Sequence, residues 1–401
     1  MKVLFVIGYP QRLNGAQKSL MFLIEAIRER GVEPLAAFTA DGICTQTYAS
    51  KSIPVRIMRL PAAASVYGKA LLDGGPARKA LRSMLVYPGI FLRAWRFVGS
   101  SGADIVHCNE PRALLVAGLA ARLQGKRVVL HLRGSIDPYG PWLRKLIERI
   151  PHRIIAVGPS IAAELSPAGR GRSRVVYNPI PMPVVDEADE PRDNDRERRV
   201  LVMASIVPHK GHHHVVEAAA LIAAAHRPYR VRFDILGQTI DDGYRITLEE
   251  RIASLGRIGV HLHGWRSDVQ AFLGDADVVV SASIDHEVLQ VGDREIEVQN
   301  AEGTPRQLLE ALAARTPVVA TRLPGVTDIV EDDVTGLLVD PRDPRQLADA
   351  VLAVLDDPGR ARRMALAGRS VVAERHNPAR SATAVEAIYA DLCGRGDRDS
   401  T

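Results

Sequence analysis

Apolar residues recur along this chain in two alternating rhythms, short unbroken runs and spacings of three and four. Lys2–Ile7 is a run closed by Gly8-Tyr9-Pro10 and predicts a buried strand. Leu20, Leu23, Ile24 and Ile27 then share one face of a helix predicted over 16–30. Strand ends follow at 104–107, just before Asn109, and at 127–135. The second half repeats the scheme, with strands at 199–205, 231–237, 260–264 and 276–283 and helices at 214–225 and 244–255. Leu308, Leu309, Leu312 and Ala313 mark another helix, which runs into Pro317-Val318-Val319-Ala320, a strand buried on both sides. Strand, loop and helix in repetition predict an α/β chain with two doubly wound parallel domains. In 76–100, Pro88-Gly89 interrupts the periodicity, so two short helices are predicted there.

Length agrees with two cores: 401 residues are long for one domain. The boundary falls after Tyr177-Asn178-Pro179-Ile180, because 181–199 is rich in proline and charge without apolar periodicity. The expected layout is an N-terminal domain over 1–180, a linker over 181–199, a second domain over 200–378, and a closing helix with a polar tail over 379–401. Within the second domain, 284–301 is an acidic insertion whose alternating Glu295-Ile296-Glu297-Val298 predicts a β-hairpin, either a lid or a surface ornament.

Charge divides the chain more sharply than its net +5 suggests. Residues 1–180 carry 26 Lys and Arg against 10 Asp and Glu, net +16, while 181–401 carry 26 against 37, net −11. A basic half suits nucleic acid, an anionic membrane or a phosphate-bearing substrate. No basic-aromatic interleaving or DNA-reading motif is present, so nucleic acid is not an expected partner. In 76–100, Arg78, Lys79, Arg82, Arg93 and Arg96 edge an apolar set that includes Trp95, the composition of a helix lying among lipid headgroups. A helix packed on the sheet with snorkelling arginines is the alternative. Cys44, Cys108 and Cys393 form no metal or disulfide spacing and fit a reducing compartment. The start reads as a strand and not a signal peptide, and no apolar run spans a bilayer. The expected location is the cytoplasm, peripherally on the inner face of the membrane.

Chemistry concentrates in residues 302–321, EGTPRQLLEALAARTPVVAT. Glu302 and Glu310 bracket seven residues, and a helix beginning after Gly303-Thr304-Pro305 offers unpaired amides and a positive dipole end to phosphate. Glu310, about two turns in on the polar side, suits the hydroxyls of a ribose. The segment resembles the E-x7-E motif of the retaining, nucleotide-sugar-dependent glycosyltransferases of family four. That resemblance implies the GT-B fold, two Rossmann-like doubly wound domains facing each other across a cleft, with the last helix, within 379–401, returning to the N-terminal domain. It also implies that Glu310 holds the ribose, and that Glu302 with Gly303, Thr304 and Arg306 meets the sugar and diphosphate of the donor.

Other segments resemble the same family. Residues 14–31, NGAQKSLMFLIEAIRERG, stand at its loop after the first strand, with Gly15 near the diphosphate and Asn14 where a first glycine usually stands. Ser205 and Lys210-Gly211 occupy its phosphate loop, where Lys210 is retained and Ser205 replaces an arginine. Gly264-Trp265 matches its element near the nucleotide base, and 276–283, ADVVVSAS, its strand before the motif. Arg133-Gly134 aligns with a His-Gly near donor sugar and acceptor, and His131 lies on the same strand face; either can touch substrate. His107 and Asn109 at the neighbouring strand end complete the expected acceptor side, though His107 more often fills a structural role. Glu302, Lys210, His131 and Arg133 are therefore the expected catalytic set.

The implied activity moves a hexose from a UDP- or GDP-sugar to a hydroxyl of a cell-surface glycan or polyprenyl-linked acceptor, with retention and without an essential metal or other cofactor. A nucleotide-sugar epimerase of the same fold, or a non-catalytic scaffold in polysaccharide assembly, are the alternatives. His212, His213 and His214 are adjacent on a helix and point in three directions, which predicts cap and surface residues instead of metal ligands.

Overall fold

The computed structural model describes all residues except Tyr9, Arg12, 61–75, 185–196, 257–258, 300–302 and 395–401, and omits the side chains of 76–85. It divides into two compact units, Met1–Ile180 with Pro378–Thr401, and Pro181–Asn377.

The first unit is built on seven parallel strands: β1 (Lys2–Ile7), β2 (Glu33–Phe38), β3 (Val55–Ile57), β4 (Ile105–Asn109), β5 (Arg127–Leu132), β6 (Arg153–Ala156) and β7 (Ser173–Val175). Their order is β3-β2-β1-β4-β5-β6-β7. The chain winds outward from β1 to β3, then crosses to β4 on the other side of β1, with Val3 opposite both Pro34 and Ile105. Strand order therefore reverses between β1 and β4, which opens a crevice at their carboxyl ends. Val3 to Ile7 are all buried, because helices cover both faces. One face carries helix Gly15–Arg28, through Leu20, Leu23, Ile24 and Ile27, together with Ala382, Val385, Ile388 and Tyr389 of helix Pro378–Leu392.

On the opposite face, 76–99 is one helix, Pro76–Gly99, running through Pro88, and not the two that the proline predicts. Proline removes one backbone bond and strains one turn. Ile90, Ala94 and Val98, one helical face and all wholly buried, hold the helix on the sheet core, and Tyr87 Oη donates to the Leu115 carbonyl at 3.0 Å. Tertiary packing thus overrides the local break.

The second unit has six parallel strands, β8 (Glu197–Met203), β9 (Arg230–Leu236), β10 (Val260–Gly264), β11 (Val278–Ser281), β14 (Val318–Thr321) and β15 (Leu337–Val339), ordered β10-β9-β8-β11-β14-β15. Here the order reverses between β8 and β11. Residues 286–299 form an antiparallel hairpin, β12 (His286–Val291) and β13 (Arg294–Gln299), whose Val291 and Val298 are buried. Helix Pro358–Arg375 was not legible in the sequence, because its buried face is Ala361, Met364, Ala365, Gly368 and Val372, mostly too small to print a strong apolar rhythm. Those small residues permit close approach: a Cβ on Gly368 would lie 2.4 Å from Leu312 of helix Arg306–Ala313.

Candidate active site

In the second unit the site grows from the reversal between β8 and β11. Residues 204–211 leave β8, make a single helical turn at Pro208–Lys210, and reach Gly211 in the left-handed region at φ +66°. Any side chain there would collide with the chain after β11, since a Cβ would stand 1.9 Å from the Ala282 carbonyl oxygen. The Ile284 amide donates to the His209 carbonyl at 3.0 Å. Lys210 is thereby fixed beside the end of β11, half-buried, with Ser205 exposed at the start of the loop.

Helix Arg306–Ala313 runs antiparallel to the strands, so its first turn opens at this same edge. Gln307 Nε2 reaches Ser281 Oγ, the last residue of β11, at 3.3 Å. Gly303 and Thr304 lead into that turn half-buried, and Pro305 caps it without an N–H to give. One turn on, Arg306 Nε donates to Glu310 Oε1 at 2.8 Å. The predicted diphosphate cation and ribose acid are therefore partners of each other along one helix face. Glu302 lies outside the described residues. Gly264 ends β10, the outermost strand, two strands from the reversal, and Trp265 just after it is 70% exposed.

The first unit holds a second polar cluster at the carboxyl ends of β1, β4 and β5. Arg133 Nε donates to Asn109 Oδ1 at 2.7 Å, and its Nη1 donates to Asn178 Oδ1. Burial lowers the proton affinity of Arg133, yet a guanidinium remains charged at neutral pH. Beside it, the Gly8 amide donates to Glu110 Oε1 at 3.2 Å. Burial pushes the Glu110 carboxyl up to about 8, against the pull of the Gly8 amide and Arg133. Glu110 also sits at φ +114°, a region that L residues seldom occupy. Gly15 opens helix Gly15–Arg28, and Asn14 caps it, accepting from the Ala16 and Gln17 amides at 3.0 and 3.3 Å. The asparagine at the place of a glycine thus has a job of its own.

His107 is a correction to the expected acceptor side. It is wholly buried, with Nδ1 on Tyr389 Oη at 2.6 Å and Nε2 on His131 Nδ1 at 3.1 Å. Both ring nitrogens are already engaged inside the unit, by Tyr389 and His131, which is the structural role. Burial draws His107 down to about 3 and His131 well below its ordinary value, leaving both neutral. His131 Nε2, Asn109 Nδ2 and Arg133 Nη2 remain buried without a hydrogen-bond partner. Three such atoms at neighbouring strand ends leave hydrogen-bonding capacity open here, each costing about 1–3 kcal/mol if left bare.

Two family models account for most of the chain. Residues 186–371 match the model described as glycosyl transferases group 1, and residues 13–182 match glycosyltransferase family 4. The chain belongs to the group 1 glycosyltransferases. Over 192 residues this glycosyltransferase is 31% identical to the D-inositol 3-phosphate glycosyltransferase of Acidothermus cellulolyticus, covering 44% of this chain and 40% of that one. Over 226 residues it is 30% identical to the lipopolysaccharide core biosynthesis glycosyltransferase LpsE of Rhizobium meliloti, covering 55% and 58%. The chain thus spans about half the length of the curated relatives it matches. The solved structure of Anabaena HepE in complex with UDP and glucose superposes with a TM-score of 0.76 at 19% identity, over 98% of this chain and 100% of that one. At that identity the likeness is one of fold, and the fold is GT-B.

Two residues of this glycosyltransferase's polar cluster were missed in the sequence. Glu110 had one signal, an acid directly after an apolar strand and before Pro111; Asn178 had none beyond its place in the hinge turn.

Proposed function

We propose that this glycosyltransferase moves a sugar from a nucleoside diphosphate to a hydroxyl acceptor with retention of configuration, its second unit holding the donor and its first the acceptor. The observation that carries the donor half is the Arg306–Glu310 pair opening onto the same strand edge as the Lys210 loop. Glu310 takes the ribose hydroxyls. Lys210, Arg306 and the amides around Gly303 meet the diphosphate, whose charge grows as its bond to the anomeric carbon breaks. HepE, solved with UDP and glucose, supports a UDP-sugar as the first donor to try. On the acceptor side, His131, Arg133 and Asn109 offer their bare polar atoms to a hydroxyl-rich glycan or lipid-linked sugar. The two named relatives are transferases, which favours transfer over epimerisation.

Thermal-shift titration with UDP-, GDP- and ADP-sugars tests the donor assignment, followed by NMR of the product's anomeric configuration. One nucleotide sugar should stabilise the chain and Glu310→Ala should abolish that response; indifference to all three, or an inverted product, overturns it. Because cations of the chain take the leaving group, added magnesium or manganese should leave turnover unchanged.

The lipid-linked acceptor suggests docking on an anionic membrane. No helix among the described residues is long and apolar enough to cross one. Leu92, Arg93, Trp95 and Arg96 are exposed along helix Pro76–Gly99, a pattern suited to headgroups. Failure to co-sediment with anionic liposomes at low salt would remove this part of the reading.

A further inference from the structure

The 286–299 hairpin is held to the body of its unit by a feature that the transfer reaction does not use. His213 and His214 open helix His212–Ala224, directly after Gly211, and are 5% and 7% exposed. Their Nε2 atoms approach the same carboxylate oxygen, Glu287 Oε2 on β12, at 3.0 and 2.9 Å. One ligand atom from each residue falls within 4.8 Å of the other two. Neighbouring helix residues normally diverge. In this first turn, however, the two rings stand 4.0 Å apart and converge on a side chain more than seventy positions away in sequence.

We propose that His213, His214 and Glu287 bind a transition-metal ion, with zinc(II) the best match, which clasps the hairpin to the helix leaving the Lys210 loop. Two imidazoles and one carboxylate are a donor set that zinc favours over magnesium or calcium. Tetrahedral zinc with bonds of about 2.0–2.1 Å sets its ligand atoms roughly 3.3 Å apart. Each Nε2 therefore needs to move only a few tenths of an ångström from Glu287 Oε2, and the three ligand atoms already lie within 4.8 Å of one another. Outer contacts already orient the ligands: His213 Nδ1 lies 2.7 Å from Tyr244 Oη, and that buried hydroxyl also takes the His213 amide at 3.2 Å. His214 Nδ1 is buried without a hydrogen bond, its nearest acid being Glu217 Oε2 at 3.9 Å. The nearby Arg251 cation is neutralised by Glu217, so it does not oppose an ion outright. The Glu287 side chain is 20% exposed, which leaves solvent a path to the fourth position. The chain entering the hairpin is already tied to the phosphate loop through Ile284 and His209, so an ion here would steady both.

Full-length chain stripped with a chelator and titrated with zinc(II) by calorimetry tests the site without any sugar donor. One saturable equivalent is expected, with affinity falling at least roughly 100-fold in Glu287→Gln and about 10-fold in Tyr244→Phe, where only an outer contact is lost. Cobalt(II) in place of zinc should show the intense visible bands of four-coordination. Circular dichroism checks that each variant is folded; if Glu287→Gln is not, Tyr244→Phe and the wild-type cobalt spectrum decide. Absence of saturable binding, a six-coordinate cobalt spectrum, or equal affinity in wild type and both variants overturns the proposal.

Discussion

Glu110 and Glu310 are both acids beside an arginine, and their surroundings differ. Glu310 shares a helix face with Arg306, which orients it, and in the proposed reading it accepts the hydroxyls of the donor ribose. Replacing it with alanine should lower kcat/KM for the nucleotide sugar by roughly 10–100-fold, the loss of one or two charged hydrogen bonds, while circular dichroism stays unchanged. Glu110 is held protonated by burial up to about 8, against an ordinary 4.5. Between those values the folded chain binds the extra proton. Its stabilising share is therefore complete below the lower value and is lost as pH rises through the upper one. Glu110→Gln cannot lose a proton, so its melting temperature should gain on wild type between about pH 5 and about pH 9, measured by calorimetry across that range. Glu310 was legible in sequence because spacing alone sets it on the polar face of an apolar helix. Glu110 was not, because its character comes from the Gly8 amide and Arg133, brought to it from β1 and β5 by the sheet.

Elements were most legible where buried strands alternate with amphipathic helices. β1, β10 and helix Gly15–Arg28 lie within two residues of their predicted spans. Legibility failed where a neighbour outvotes local preference. Pro88 sits inside one continuous helix because Ile90, Ala94 and Val98 anchor it, and helix Pro358–Arg375 hides its apolar face in alanine and glycine. The surface reading of the histidine triplet failed for a related reason: His212, His213 and His214 are all buried, the last two against Glu287, which arrives on a hairpin. The Lys210 loop gives the sharpest test at this scale. Gly211→Ala places a methyl against the Ala282 carbonyl at a positive φ, which should cost roughly 2–4 kcal/mol of stability and weaken nucleotide-sugar binding with it. Denaturant unfolding and calorimetry on the same variant would check both; unchanged stability would mean that the loop can move aside.

At the scale of the whole molecule, helix Pro378–Leu392 completes the unit that begins at Met1. It supplies Val385, Ile388 and Tyr389 to the core shared with Leu20, Leu23 and Ile24, and Tyr389 also carries the hydroxyl on His107. Each large side chain withdrawn from that core exposes apolar surface worth about 1.5–3 kcal/mol. A chain ending at Asn377 should therefore lose the first unit's protease resistance while 181–377 keeps its own, as limited proteolysis with mass spectrometry would show. The family resemblance announced this helix and its return to the N-terminal domain, but the side chains that receive it depend on contacts more than 350 positions apart, such as Arg30 with Glu386. A ribosome releases residues 181–377 before 378–392 emerges. The amino-terminal portion must therefore wait, with one flank of its sheet uncovered, through the synthesis of the entire intervening body, and that interval is when a chaperone would have most to grip.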